Sequence, residues 1–508
     1  MGRFNETVEG RDVTKNYEGA KAHKLTSELE LYTAVCCASL QSKFYCSAED
    51  QVDQIRSLIK KVDATFVEKL AVYAREQMYL RSVPLVLCVE LARIGKLSKE
   101  TVTRVIQRAD EIVELLAYYQ AANDRDDVKK LKKLSKAIQK GIKKVFEDGK
   151  FKEYHFGKYN RKTDVKFRDA LFLTHPKPRS EEQEKLFKKI AEDTLEVPYT
   201  WEVELSKIGQ EKYDTEEDRQ IAFRSKWEEL IDSGKVGYMA MLRNLRNILK
   251  AEVSSKHIEK VCLALSDPEA VKGSRQFPFR FLSAYKILSE DVSSEYASYV
   301  QETLEKAIQI SVENIEGFGV DSKVLIACDT SGSMSCTISD RSFITYQDVG
   351  LVLGMLLQSK CKLVTIGIFG EDWKTIQLPR TNILQNVETL DKYSGVVGHS
   401  TNGWKVLDWA VKNKKTYDKV MIFTDMQLWD STSYFDGTSH EMIGLWNKYK
   451  QLNPEAKLYI FDLAGYGTSP LDIRQRDVYL IAGWSEKVFD VLGKIEKGQE
   501  VIDIIKSN

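Results

Sequence analysis

The chain has 508 residues, with 75 Lys and Arg against 75 Asp and Glu, 43% hydrophobic residues and 9 prolines. Zero formal net charge argues against a uniformly basic nucleic-acid coat and against a strongly acidic disordered tail. At about 150 residues per domain, the length predicts about three domains, or one repeat array joined to another domain.

The opening MGRFNETVEGRDVT lacks the apolar core of a signal peptide, and no run approaches the roughly 18 apolar residues that a membrane span needs. A cytoplasmic protein without membrane contact is therefore expected. The 8 cysteines (Cys36, Cys37, Cys46, Cys88, Cys262, Cys328, Cys336, Cys361) form no CxxC and no spacing that suits zinc. They are predicted to be reduced thiols, with Cys36 and Cys37 packing inside an apolar helical stretch.

From about Leu25 to Leu304 the text reads as successive amphipathic helices. An early one places Val52, Ile55, Leu58, Ile59 and Val62 on one face, behind Ser47 and Asp50 as an N-terminal cap and acidic first turn. Gly95 reads as a stop, after which Ser98 caps a helix striped by Val102, Val105, Ile106, Ala109, Ile112, Val113 and Leu116. Many one-faced helices in series are best buried as stacked pairs of the solenoid type, although no strict period is visible.

The zero net charge hides one local asymmetry. Residues 128–179 hold 17 Lys and Arg against 5 Asp and Glu, an excess of +12 that the rest of the chain balances with −12. Over Lys129–Phe146, Leu131, Leu134, Ile138, Ile142 and Val145 share a face, which leaves Lys132, Lys133, Lys136, Lys140, Lys143 and Lys144 to solvent. A solvated helix face is the plain reading of such a run. The continuation interleaves Tyr154, His155, Phe156, Tyr159 and Phe167 with Lys158, Arg161, Lys162, Lys166 and Arg168. Aromatics stack on unpaired bases and cations neutralise phosphates, so this mixture suits RNA better than a membrane.

Near 317–321 the pattern changes to short unbroken apolar runs: 323–329, 362–369, 419–425, 457–462 and 477–483. They alternate with helical stretches at 346–358, 404–411, 441–449 and 486–492. Strands apolar on both faces alternating with helices predict a parallel, doubly wound α/β sheet, whose ligands bind at the carboxyl ends of the strands. The first run ends on Asp329-Thr330-Ser331-Gly332-Ser333, where alternate positions offer a carboxylate and two hydroxyls. Thr401 and Asp425 follow at matching strand ends. Hard oxygen donors of this kind suit Mg²⁺ or another divalent cation. Asp and Ser after a strand also serve simply to cap the next helix.

Asp329, Ser331, Ser333, Thr401 and Asp425 resemble the metal-ion-dependent adhesion site of von Willebrand factor A domains, a resemblance covering about 321–508. It implies a Rossmann-like α/β domain whose metal keeps an open position for a partner's acidic group or a small anion. Enzyme signatures are missing: there is no second Asp for an Asp-x-Asp phosphotransferase, no GxxxxGK[ST], and no second His after His440-Glu441 at zinc-protease spacing. His399 reads as a polar loop residue. No catalytic residue is assigned.

The segments REQMYLRSVP, FRDALFLTHPKP, TWEVELSK and YMAMLRNLRNI resemble the TROVE module of the Ro autoantigen family. This resemblance implies a HEAT-like α helical-repeat ring over 1–316, closed by the von Willebrand factor A domain over 317–508. It implies a non-enzymatic RNA-binding protein acting in RNA quality control within a ribonucleoprotein. Its expected partners are Y-like noncoding RNA on an outer basic surface, misfolded RNA 3′ ends in a central hole, and an exoribonuclease, with the protein a monomer. His175 and Lys177 in Leu173–Pro178 are expected at the RNA surface, with Thr174 where the family has Ser. Arg243 and Asn244 either line the hole or tie repeats together. Two other readings stand beside this one: a scaffold that captures a partner carboxylate at the metal site, and a metal-dependent nuclease.

Overall fold

The computed structural model describes residues 13–43, 45–123, 134–160, 163–291, 294–311, 322–340, 342–432, 441–475, 477–485 and 487–508. Its strands are β1 (Val13–Lys15), β2 (Lys21–Lys24), β3 (Lys323–Asp329), β4 (Leu363–Phe369), β5 (Trp373–Thr375), β6 (Lys419–Thr424), β7 (Lys457–Asp462), β8 (Thr468–Ser469) and β9 (Val478–Ala482). Helices make up most of the rest before β3. Packing groups Met1–Ile55 with Gly237–Ile504, and Arg56–Val236 with Ile505–Asn508. The sequence modules and the packing units are thus different divisions of the chain, because the helices from Tyr238 onward group with the sheet.

In the first unit, six strands are ordered β5-β4-β3-β6-β7-β9, parallel except for β5 at one edge. Every residue of β6, and all of β3 after Lys323, is buried, as strands covered on both faces require. The chain passes from β3 outward to β4 and β5, then returns to the other side of β3 for β6. The strand order therefore reverses between β3 and β6, which is where a doubly wound sheet opens a crevice at its carboxyl edge. Register aligns Cys328 with Phe423, so Asp329 and Thr424 end the two central strands side by side.

Helices Pro278–Asp291 and Ala297–Ser311 pack against Tyr346–Lys360 and Ile383–Tyr393 of the α/β domain. Lys286 pairs with Asp348 at 2.6 Å, both largely buried. The Glu305 carboxylate accepts from the backbone N–H groups of Leu384 and Gln385 at 3.1 and 2.8 Å, satisfying donors that the helix start leaves open.

In the second unit, neighbouring helices pair: Ala64–Glu76 with Ser82–Arg93, Lys99–Val105 with Lys136–Glu147, and Phe167–Thr174 with Glu181–Glu192. Gly95 takes φ 70° and ends its helix in the left-handed turn, with Lys96 N–H donating to the Leu91 carbonyl. The helix expected to run from 99 through 116 is broken. It ends at Val105 and restarts at Asp110. The cause is non-local: buried Arg75 donates to the Val105 carbonyl at 3.1 Å and to Glu111 at 2.7 Å, and Glu111 in turn accepts from Gln107 and Arg108 N–H at 2.8 and 3.0 Å. One ion pair thus caps both ends of the break.

The basic helix begins at Lys136, behind Ser135; residues 129–133 of the expected helix, with Leu131, Lys132 and Lys133, lie outside the described residues. Ile138, Ile142, Val145 and Phe146 are buried as its stripe, and Leu134 is buried just before it. Gly141 permits a close approach to the helix Lys99–Val105, since a Cβ there would lie 2.5 Å from the Val102 Cβ.

The Arg75–Glu111 pair is 8% and 2% exposed at its side chains. Removing one partner leaves an uncompensated buried charge. Arg75→Met or Glu111→Gln should each cost about 3–5 kcal/mol, measured by denaturant unfolding, with the double substitution costing less than the sum.

Candidate metal centre and nucleic-acid interface

The loop after β3 is tied on both sides. The Thr330 N–H and hydroxyl donate to the Phe369 carbonyl at the end of β4, and Gly332 N–H donates to the His399 carbonyl at 3.0 Å. His399 itself is an exposed loop residue whose backbone, and not its ring, serves the site. These bonds bring together the five predicted residues, all buried. Asp329 accepts from Ser331 N–H at 2.9 Å and from the Thr424 hydroxyl at 2.6 Å. The Ser331 and Ser333 hydroxyls are 3.4 Å apart, and Ser333 lies beside the Asp425 carboxyl, where it opposes the rise that burial causes. The Thr401 hydroxyl donates to the Gln427 carbonyl at 2.9 Å, and Gln427 N–H donates to Asp425 at 3.1 Å. Met426, which follows, is held at φ 70°, a left-handed conformation uncommon for a non-glycine residue.

One oxygen of Asp425, Oδ2, is buried without a hydrogen-bond partner. Burial raises the Asp329 carboxyl above its ordinary range; burial, and then the charge of Asp329, raises Asp425. Two buried carboxylates, one with an orphaned oxygen, surrounded by three hydroxyls, are a donor set that fits a hard divalent cation such as Mg²⁺. Among the described residues no group of three His, Cys, Asp or Glu side chains is arranged to hold a metal, so hydroxyls are indispensable to any such site. Asp462, at the end of β7, carries a second unpartnered buried oxygen, which the sequence reading did not single out.

The basic tract is sorted by packing. Lys143 pairs with Glu147 at 3.7 Å, Lys144 with Asp148 at 2.7 Å and Lys166 with Asp193 at 3.0 Å, while Lys158 lies over the Tyr159 ring. Lys136, Lys140, Arg168 and Lys177 are exposed and have no carboxylate partner among the described residues. Arg161 and Lys162 lie outside those residues. The interleaved aromatics are divided too, which corrects the reading of all five as base platforms: Phe156 and Phe167 are core, their rings 5.1 Å apart, because both fall on the inner face of their helices. Tyr154 is exposed, and His155 accepts from Lys152 N–H at its helix start.

His175 is exposed at φ 47°, where it ends the helix Phe167–Thr174. Gln139 donates to the Leu173 carbonyl at 2.8 Å, which ties the helix bearing Lys136 and Lys140 to this turn. Phe172, 54% exposed on the same short helix, was missed by sequence reasoning; its position off the buried Ala170–Leu171–Thr174 face is the signal that could have found it. Arg243 is exposed, whereas Asn244 is buried and donates to the Ala240 carbonyl in its own helix. Arg280 lies against the Phe279 ring, and its guanidinium feels the like charge of Arg243; neither arginine has a carboxylate partner among the described residues. Arg280 too was missed, since its neighbour is contributed by a different helix.

All eight cysteines are free thiols. Among the described residues no helix is long and apolar enough to cross a membrane.

The raised carboxyls fix a pH dependence for the metal-free chain. A carboxyl whose folded value exceeds its unfolded value contributes stability in acid, and that contribution is lost as pH rises from about 4 through the raised folded value. Asp425→Asn should therefore melt higher than the parent chain near neutral pH, with the gap closing as pH falls toward about 4. Thermal melts in chelator across that range provide the check, and an Asn variant that melts lower throughout would contradict it.

Comparison with known proteins agrees with this architecture. The TROVE domain family model matches residues 31–223 and 194–314, and the Ro60 vWA domain model matches 323–495. Telomerase protein component 1 of Rattus norvegicus is 26% identical over 371 residues, 57% of this chain but only 14% of that protein. RNA-binding protein RO60 of Caenorhabditis elegans is 21% identical over 283 residues, 54% of this chain and 42% of that protein. The chain thus spans less than half the length of these relatives. The crystal structure of the Deinococcus radiodurans Ro protein superposes with a TM-score of 0.59 at 17% identity, covering 93% of this chain and all of that one, a likeness of fold. With its helical region matched across 31–314 and a Ro60-type von Willebrand factor A domain behind it, the chain belongs to the TROVE-domain family.

Proposed function

We propose that this chain is a non-enzymatic RNA-binding protein that engages structured, Y-like noncoding RNA through the exposed side of its basic tract. The observation that carries the reading is the set of four exposed cations without a carboxylate partner among the described residues, Lys136, Lys140, Arg168 and Lys177, on elements joined near His175, where Lys143, Lys144 and Lys166 are ion-paired. Unpaired surface cations are free to neutralise phosphates, and the exposed rings of Phe172, Tyr154 and His175 offer stacking faces to unpaired bases. Lys132, Lys133, Arg161 and Lys162 extend the same charge in sequence. Kinship with a protein named as RNA-binding supports this reading.

Arg243 and Arg280, two neighbouring guanidiniums without a carboxylate partner among the described residues, suit a second strand of phosphates. This pair is our candidate for the 3′ ends of misfolded RNA. Action in RNA quality control, as part of a cytoplasmic ribonucleoprotein that hands such ends to an exoribonuclease, fits both surfaces. In the α/β domain, Asp329, Ser331, Ser333, Thr401 and Asp425 would hold Mg²⁺, which supplies a charged contact point for an acidic ligand.

RNA affinity should fall steeply with salt. Four neutralised phosphates give a log–log slope of roughly −3 to −4, read by fluorescence anisotropy on a hairpin RNA with a single-stranded 3′ tail. Lys136→Glu with Lys140→Glu should weaken binding by about tenfold or more at low salt. Unchanged affinity in that double variant would remove the basic-tract argument.

Asp329→Ala should leave RNA binding intact. If purified protein degrades RNA with Mg²⁺ and Asp329→Ala abolishes that activity, the non-enzymatic reading is wrong.

A further inference from the structure

The mouth of the candidate metal centre is not bare. Strands β1 and β2 form an antiparallel hairpin, Val13 opposite His23, which adds to β8 through His23 and Ser469. The turn of this hairpin is fixed internally, with Asn16 accepting from Ala20 N–H at 2.9 Å, and it carries Tyr17 and Glu18. It is fastened to the segment that follows Asp425. Asn16 donates to the Leu428 carbonyl at 2.8 Å, and Tyr17 N–H donates to the Gln427 side chain at 2.8 Å. Gln427 is the same residue that donates to Asp425 and accepts from Thr401.

A second strap comes from Tyr45. Its hydroxyl donates to the Glu18 carboxylate, and it lies close enough to Ser333 and Asp425 to feel both electrostatically. The rings of Tyr17, Tyr45 and Tyr466 pack against one another at 5.1 to 5.4 Å, roofing the site. Glu18 thus sits on a hairpin whose next residue back, Tyr17, is hydrogen-bonded to Gln427, itself a donor to Asp425.

Electrostatics gives that arrangement a meaning. A third carboxylate drawn toward buried Asp329 and Asp425 is repelled in the metal-free chain, whereas a divalent cation at Asp425 reverses the sign of the interaction. A short hairpin has little stability of its own, so its docking depends on such contacts.

We infer that the acidic ligand of this metal centre is internal: Glu18, held through Tyr45, closes the face that an external partner would approach. The inference rests on the reading of Asp329, Ser331, Ser333, Thr401 and Asp425 as a divalent-cation site. Cation binding and hairpin docking are then linked, each strengthening the other by the same factor. Capture of an outside carboxylate requires release of the hairpin.

The test is hydrogen exchange of the full chain with and without Mn²⁺, beside calorimetric titration of the same samples with Mn²⁺. Mn²⁺ should slow exchange of the 13–24 amides by about tenfold, within the range of coupled sites. Glu18→Gln and Tyr45→Phe should each lose most of that slowing while still binding Mn²⁺; Tyr45→Phe keeps the ring packing, so its fold is not at risk. Asp329→Ala should bind no Mn²⁺ and show no slowing. If Mn²⁺ binds in an Asp329-dependent way but leaves 13–24 unchanged, or if both hairpin variants respond like the parent, the internal ligand is refuted and the metal centre stands. If the parent chain binds no Mn²⁺, the metal reading fails and the inference fails with it.

Discussion

Asp329 and Asp425 place two carboxylates in the dry interior at the point where the sheet reverses its strand order, and one oxygen of Asp425 has no protein partner. A buried charge is costly unless it is paired or neutralised, so the surrounding fold is arranged around that cost. Thr424 and the Ser331 N–H supply hydrogen bonds to Asp329, and the Gln427 N–H to Asp425; the carbonyls of Phe369 and His399 hold the loop that carries the serines. These groups soften the charge without cancelling it. The remaining deficit, one orphaned oxygen, is the feature on which the proposal of a cation site rests.

The same constraint explains which parts of the molecule were legible in the sequence. Strands β3, β4, β6, β7 and β9 lie inside the five apolar runs, because burial on both faces makes most of their side chains apolar. The Asp329–Ser333 loop was equally legible, since its donors alternate within five residues of one another. Strands β1, β2, β5 and β8 are two to four residues long, too short for alternation to register. The break after Val105 was hidden for a different reason. The apolar stripe continues through it, and the residue that splits the helix, Arg75, belongs to another helix.

Charge counting gave the location of the basic tract but overstated its free charge. Lys143, Lys144 and Lys166 find carboxylates one helical turn away or on the next helix, a partition that depends on which neighbour packs nearby. Aromatic counting failed in the same way. Tyr154 and Phe156 are two residues apart on one short helix, yet Phe156 faces Phe146 and Phe167 while Tyr154 faces solvent. Interleaving of residue types therefore marks a candidate surface, and only the packed face decides which members belong to it.

The two chemistries also differ in what they can recognise. Ionised carboxylates at the sheet edge repel phosphate unless a cation intervenes, whereas surface cations of the basic tract attract phosphate directly and need no metal. An RNA contact made by Lys136, Lys140, Arg168 and Lys177 would accordingly be weakened by monovalent salt through counterion release, whereas the proposed Glu18 contact would answer to divalent cation. Because Glu18, Tyr17 and Tyr45 precede Asp425 by nearly the whole chain, no local pattern could have joined them to it. Their convergence follows from the hairpin's attachment to β8, which brings the start of the chain to the carboxyl edge of the sheet.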